Sequence, residues 1–196
     1  MPERHATRRL ILEAAIDCIE KYGLEGVTTR RIAQRAGTNI ASINYHFRSK
    51  DELLAETLEL TSKHMLEDVL LTLEASRKPF EATLKEVFHY LLEGSSRFPG
   101  MSRAHLSQAI MTGRRDTAGA RAMIKIFEKL AERAAEAYPR KYKEVLRMRL
   151  AQVMCSILFL VLSPDFFGIM TGKRLSKAEQ AQLYASSFAA LFVRSI

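Results

Sequence analysis

A helix, a tight turn and a second short helix are written into residues 27–50, and that pair limits what the rest of the chain can be. The stretch Val27-Thr28-Thr29-Arg30-Arg31-Ile32-Ala33-Gln34-Arg35-Ala36-Gly37 opens on threonines suited to a helix start and closes on a glycine suited to a helix end. Thr38-Asn39-Ile40-Ala41-Ser42-Ile43-Asn44-Tyr45-His46-Phe47-Arg48-Ser49-Lys50 follows, mostly small or polar, with Ile43 and Phe47 four positions apart on one edge. Such a helix is held by a narrow apolar edge and offers its other sides outward. The pair suits the major groove of DNA, which admits one α-helix.

The residue types divide the work. Ile43 and Phe47 pack inward. Thr38, Ser42, Asn44, Tyr45, His46 and Lys50 supply donors for phosphate oxygens. Thr28 and Thr29 stand at the start of the supporting helix, where backbone amides and the helix dipole favour an anion. Base reading falls to Asn39, Ile40 and Ala41: the amide can bond a base edge, and the apolar groups can touch a thymine methyl. Arg30, Arg31 and Arg35 point in different directions, so only some can reach phosphate. Arg8 and Arg9 reach the minor groove or backbone from the N-terminus, or stay unengaged.

Helical periodicity covers most of the remainder, giving an all-α chain of about nine helices. The first is expected over residues 7–22, with Leu10, Ile11, Ala14, Ala15, Cys18 and Ile19 on one face and Gly23 as its stop. The second begins after Thr28, and the third after Thr38 or Asn39. Ser49-Lys50-Asp51-Glu52 is a capping box that starts a long fourth helix, ending near Ser76. Pro79 opens a fifth helix, and Pro99-Gly100 separates it from a sixth, over about residues 102–112. A seventh runs over about 116–138, an eighth over 142–163 before Pro164. A loop with Gly168 and Gly172 follows, and a second capping box at Ser176-Lys177-Ala178-Glu179 opens the ninth. Residues 1–50 form a three-helix helix-turn-helix domain, and residues 51–196 a larger helical domain.

Charge agrees with a polyanionic partner. The net charge is +8, and half of it lies in residues 1–50, which hold nine Lys/Arg and five Asp/Glu. Sustained Val/Ile/Thr alternation is missing, which argues against a sheet protein. Cys18 and Cys155 sit in apolar helical patterns and read as buried free thiols, with no metal spacing. The N-terminus has no signal-peptide pattern, and the apolar run of residues 150–162 is too short to span a bilayer. The expected location is cytoplasmic. No nucleophile motif, phosphate loop or paired-histidine motif occurs, so neither an enzyme nor a cofactor is expected.

The ordered set Ile11-Leu12-Glu13-Ala14-Ala15, Tyr22-Gly23, Gly26-Val27-Thr28-Thr29-Arg30-Arg31-Ile32-Ala33, Ala36-Gly37 and Ile43-Asn44-Tyr45-His46-Phe47-Arg48-Ser49-Lys50-Asp51-Glu52-Leu53 resembles the TetR (tetracycline-repressor-like) family of bacterial regulators. The likeness covers about residues 7–55. It implies an N-terminal DNA-binding domain and an all-helical C-terminal domain that binds a small effector and dimerises. It also implies phosphate contacts from Tyr45, His46, Lys50 and the threonine at the start of the second helix. Asn44 departs from the pattern: many members carry Leu-Tyr or Tyr-Tyr before His-Phe, and here a shorter amide replaces an aromatic contact.

In the larger domain the eighth and ninth helices have broad apolar faces. Leu150, Met154, Ile157, Leu158 and Val161 on one, and Tyr184, Phe188, Leu191 and Phe192 on the other, are expected to form a four-helix dimer interface. The fifth to eighth helices are expected to enclose a small-molecule effector, with Phe88, His89, Phe98, Met101, His105, Gln108, Met111 and Phe127 as candidate lining. The chain thus reads as a homodimeric, ligand-responsive regulator of a double-stranded operator, a repressor in which ligand moves the fourth helix. A helical small-molecule-binding protein without a DNA role is the rival from another class.

Overall fold

Capping side chains decide where the short helices begin. In the computed structural model, which describes residues 2–163, 169–170, 172 and 177–193, nine α-helices are assigned and no strand occurs among the described residues. They are α1 (Pro2–Gly26), α2 (Thr29–Arg35), α3 (Ile40–His46), α4 (Lys50–Ala75), α5 (Phe80–Arg97), α6 (Pro99–Thr112), α7 (Ala118–Ala137), α8 (Lys143–Leu162) and α9 (Lys177–Val193), with a 3-10 turn over Arg140–Tyr142 before α8. Thr28, Asn39, Ser49 and Thr117 each cap the helix that follows with a side-chain oxygen. Such a cap contributes about 1 kcal/mol. Gly23, at φ 68 and ψ 165, interrupts α1 where the expected first helix stops. The capping box expected at Ser176 and the loop glycine Gly168 lie outside the described residues.

Two apolar cores organise the chain. The first joins Ile11, Ala15, Cys18 and Ile19 of α1 to Ile32 of α2, Ile43 of α3 and Phe47, with Leu53 and Leu54 from α4 and Met101 and Ala104 from α6. The second joins Val69 and Leu73 of α4 to apolar residues of α5, α7, α8 and α9. Fully burying a side chain such as Phe47 or Phe88 contributes about 1.5–3 kcal/mol. Helix α4 therefore serves both cores, and α6 reaches back into the first. The expected division at residue 50 falls at the first turn of α4. Leu10, expected on the inner face of α1, is 49% exposed instead.

The helical body departs from expectation on α8 and α9. Leu150, Met154, Ile157, Phe188 and Phe192 are turned into the subunit's own core. Leu158, Val161 and Tyr184 are half-buried and Leu191 is exposed. The outward face of α8 is Val145, Met148, Gln152, Cys155 and Phe159. Helix α8 is apolar almost all round, so periodicity alone did not choose its inner side; packing against its neighbours does. Cys155 is consequently an exposed free thiol rather than a buried one, whereas Cys18 is buried. The 3-10 turn and α8 together, Arg140–Leu162, are by length and composition long and apolar enough to cross a membrane, unlike the shorter run expected from the sequence.

Candidate nucleic-acid interface

The turn between α2 and α3 is closed by backbone bonds that only a glycine at residue 37 accommodates without strain. Gly37 has φ 64, Thr38 N–H donates to Ala33 O at 3.0 Å, and Gly37 N–H donates to Gln34 O at 3.4 Å. This 6→1 and 5→2 pair is a Schellman closure. It sets α3 at a fixed angle to α2. The N-terminus of α3 is then secured by Asn39, whose Oδ1 accepts from Ser42 N–H at 2.8 Å.

Helix α3 presents a divided surface. Ile43 and Phe47 are buried, at 1% and 2% exposure. Ile40, Ala41, Asn44 and Tyr45 face outward, and Ser42 is half-buried. Tyr45 is the most exposed of these aromatic and apolar groups, at 68%. His46 is half-buried with its Nδ1 lacking a partner, and stands edge-on to Tyr45 at a ring separation of 5.2 Å. Burial, then the charges of Arg4 and Arg8, lower its pKa and keep the imidazole neutral at neutral pH.

The supporting groups converge on the start of α2. Thr28 Oγ1 accepts from Arg31 N–H at 3.2 Å, and Lys50 Nζ donates to Val27 O at 3.4 Å. The ammonium of Lys50 thus stands beside the first turn of α2, with further N–H groups to offer. Thr29 is half-buried, as is Thr38. Ser49 Oγ accepts from Glu52 N–H at 3.0 Å, while the Glu52 carboxylate reaches one residue further back than a capping box requires, to Arg48 N–H at 3.0 Å.

The arginines sort into two groups. Arg31 lies over the Tyr22 ring at 4.3 Å and bonds Gly26 O, and Arg35 pairs with Asp17 at 2.6 Å. Arg9 pairs with Glu13 at 3.4 Å, and Arg8 with Glu56 at 2.5 Å. Arg8, Arg31 and Arg35 brace the domain, whereas the Arg9–Glu13 pair lies along one exposed face of α1. Arg30 and Arg48 are exposed, and among the described residues no carboxylate pairs with them. Arg4, which sequence reasoning passed over, lies over the Tyr45 ring at 5.2 Å. The missed signal was the spacing of Arg4 and Arg8, one helical turn apart, in a helix that starts earlier than residue 7.

The candidate effector residues are dispersed. Phe88 belongs to the second core and Met101 to the first. Phe98 and Met111 are 49% and 82% exposed. Phe127 packs on the second core beneath the Arg147 guanidinium, and His89 approaches Glu93 at 3.6 Å. Gln108 lies on α6, and its side chain is outside the described ones. A cleft of about 220 Å³ between the end of α4 and α7 is lined by none of the eight.

His105 is bound at both ring nitrogens. Thr61 Oγ1 donates to Thr57 O at 3.0 Å and stands 2.9 Å from His105 Nε2, so it accepts the Nε2 proton. Ser62 Oγ, 3.1 Å from Nδ1, then donates to the bare nitrogen. The ring ties α6 to the middle of α4. Burial lowers its pKa to about 4. The unfolded chain therefore takes up a proton near pH 6.5 that the folded chain refuses until about pH 4. Stability is present above the unfolded value and falls with pH between the two. The loss is expected to reach about 2 kcal/mol by pH ~5, and to disappear in His105→Gln, as read by urea unfolding at the two pH values.

A helix-turn-helix head carried on an all-helical body is the class of protein defined by these elements. Residues 11–57 match the family model described as bacterial regulatory proteins, tetR family. The chain is 33% identical over 100 residues to the HTH-type transcriptional regulator RutR of Escherichia coli strain K12, covering 50% of this chain and 45% of that one. It is 31% identical over 107 residues to the HTH-type transcriptional repressor AcnR of Corynebacterium glutamicum, covering 54% and 52%. The chain thus spans about half the length of the curated relatives it matches. A transcriptional regulator from Rhodococcus sp. Rha1 shares the fold with a TM-score of 0.70 at 20% identity, over 95% of this chain and 96% of that one. The hemolysin II transcriptional regulator HlyIIR does so with 0.68 at 20% identity, over 94% and 97%. Residues 11–57 are thus similar to the DNA-binding segment of the tetR family of bacterial regulatory proteins, and the chain shares its overall fold with these solved regulators.

Proposed function

We propose that this chain is a cytoplasmic, homodimeric transcriptional regulator, a repressor that leaves a palindromic DNA operator when a small molecule binds its helical body. The observation that carries the reading is the outward face of α3. Ile40, Ala41, Asn44 and Tyr45 project together from a helix anchored by Ile43 and Phe47, with Lys50 beside it. Tyr45, His46, Lys50, Ser42, Asn44, Thr38, Thr28 and Thr29 hold phosphates, and Ile40 and Ala41 read bases. Asn39 is already engaged as a cap through Oδ1, so its amide N–H₂ is the part left for a base. Names of relatives such as the repressor AcnR support the sense of regulation.

The dimer surface is placed on the outward side of α8 and α9. Its apolar groups are Met148 and Phe159 of α8, at 64% and 45% exposure, and Leu183 and Leu191 of α9, at 45% and 59%. Two copies paired there would bring two α3 helices to successive half-sites. The effector acts by binding the DNA-incompetent arrangement more tightly. Its displacement passes along α4, which is rooted in both cores.

Selection of bound duplexes from a random-sequence pool tests the reading. Wild type is expected to recover a palindrome, and Phe159→Asp only single half-sites. If no sequence is enriched over the starting pool, the rival without a DNA role stands. A palindrome still recovered by the variant removes the dimer surface proposed.

A further inference from the structure

Two arginines one turn apart on α1 lie above the end of α3, and their surroundings differ. Arg8 is neutralised by Glu56 at 2.5 Å and covers the buried ring of Phe47, with 5.0 Å from guanidinium to centroid. Arg4 covers the exposed ring of Tyr45 at 5.2 Å, and no carboxylate pairs with it among the described residues. A guanidinium resting on an aromatic face keeps its N–H edge open for another partner and gives up little freedom on binding one. The Tyr45 hydroxyl projects from the same ring. Hydroxyl and guanidinium are therefore held together, outward, at the C-terminal end of α3.

We infer that Arg4, from outside the helix-turn-helix segment, joins Tyr45 of α3 in one phosphate clamp, with the Tyr45 hydroxyl donating to a backbone oxygen of the DNA strand and Arg4 neutralising its charge. Arg8 braces the head and makes no such contact. The inference rests on the DNA-binding reading above and adds to it a contact from the first turn of α1.

The test uses the full chain, a duplex recovered from the random pool and a scrambled duplex, over a series of salt concentrations. Arg4→Gln is expected to weaken both duplexes alike, by roughly three- to tenfold, and to reduce the slope of log affinity against log salt by about 0.9. Arg4→Lys retains the slope, because it keeps the charge. Arg8→Gln is expected to keep the slope and lower the thermal midpoint. The expected thermal midpoint of Arg4→Gln is that of wild type, since its side chain is exposed. An unchanged slope in Arg4→Gln overturns the clamp, while wild type still binds. A loss confined to duplexes with A·T-rich flanks overturns it in favour of a minor-groove contact. If wild type binds neither duplex, the DNA-binding reading itself falls, and the clamp with it.

Discussion

Replacing Tyr45 and Lys50 together by alanine is expected to weaken DNA binding by roughly a hundredfold on every sequence alike, because two charge-assisted hydrogen bonds to phosphate are lost. Tyr45 is neutral, so only Lys50 releases counterions, and the salt slope should fall by about 0.9 rather than twice that. The fold should survive. Tyr45 is 68% exposed, and Lys50 contributes one long bond, 3.4 Å, to Val27 O. Fluorescence anisotropy on a selected duplex reads the affinity, and thermal unfolding checks the fold. A change at Ala41, by contrast, should alter which sequence is preferred. Intact affinity in the folded double variant would mean that α3 does not dock through its C-terminal end.

The second large effect is expected at Gly100→Ala. A methyl group there would stand 2.5 Å from Glu20 O and 2.7 Å from Glu20 Cα, both backbone atoms of α1 that cannot swing aside. The same contact secures the start of α6: Gly100 and Met101 N–H donate to the two Glu20 carboxylate oxygens at 3.1 and 2.9 Å. A carboxylate at a helix N-terminus is favoured by the amides and by the dipole. Forcing α6 away from α1 combines overpacking with loss of that cap, and about 3 kcal/mol of stability is expected to go. Gly94→Ala is the control. Gly94 lies within α5, and its added methyl meets nothing within 4 Å. Alanine there should be neutral or stabilising by up to about 1 kcal/mol. Urea unfolding of both variants decides the matter; equal stabilities would remove α6 as a rigid support of the head.

The parts of the fold that were legible are those written in local chemistry. Thr28 and Ser49 announce their helices through caps, Gly37 announces its turn through a left-handed backbone, and Ile43 with Phe47 mark the inner edge of α3 by spacing. What escaped depends on partners distant in the chain. The inner side of α8 is chosen by packing from α5, α6, α7 and α9, and a helix apolar on nearly every side carries no local record of that choice. The cap of α6 comes from Glu20, some eighty positions earlier, where a sequence offers only another surface glutamate. His105 read as a pocket residue because its helix is apolar, yet Thr61 and Ser62, which occupy both its nitrogens, lie on α4. Asn39 read as a base contact; its capping bond to Ser42 was within reach of the sequence, since asparagine one position before a helix is a preferred cap.

Helix α3 also divides its residues by how freely they can be exchanged. Asn39 holds the helix start, while Ile43 and Phe47 hold it down, and altering any of them disturbs the scaffold. Ile40, Ala41 and Asn44 carry no internal side-chain bond among the described residues. Drift at those three positions costs the folded chain almost nothing. On the DNA-binding reading proposed above, a duplicated copy of this gene could acquire a new address on the chromosome through substitutions at Ile40 and Ala41 alone, with its helical body left as it was.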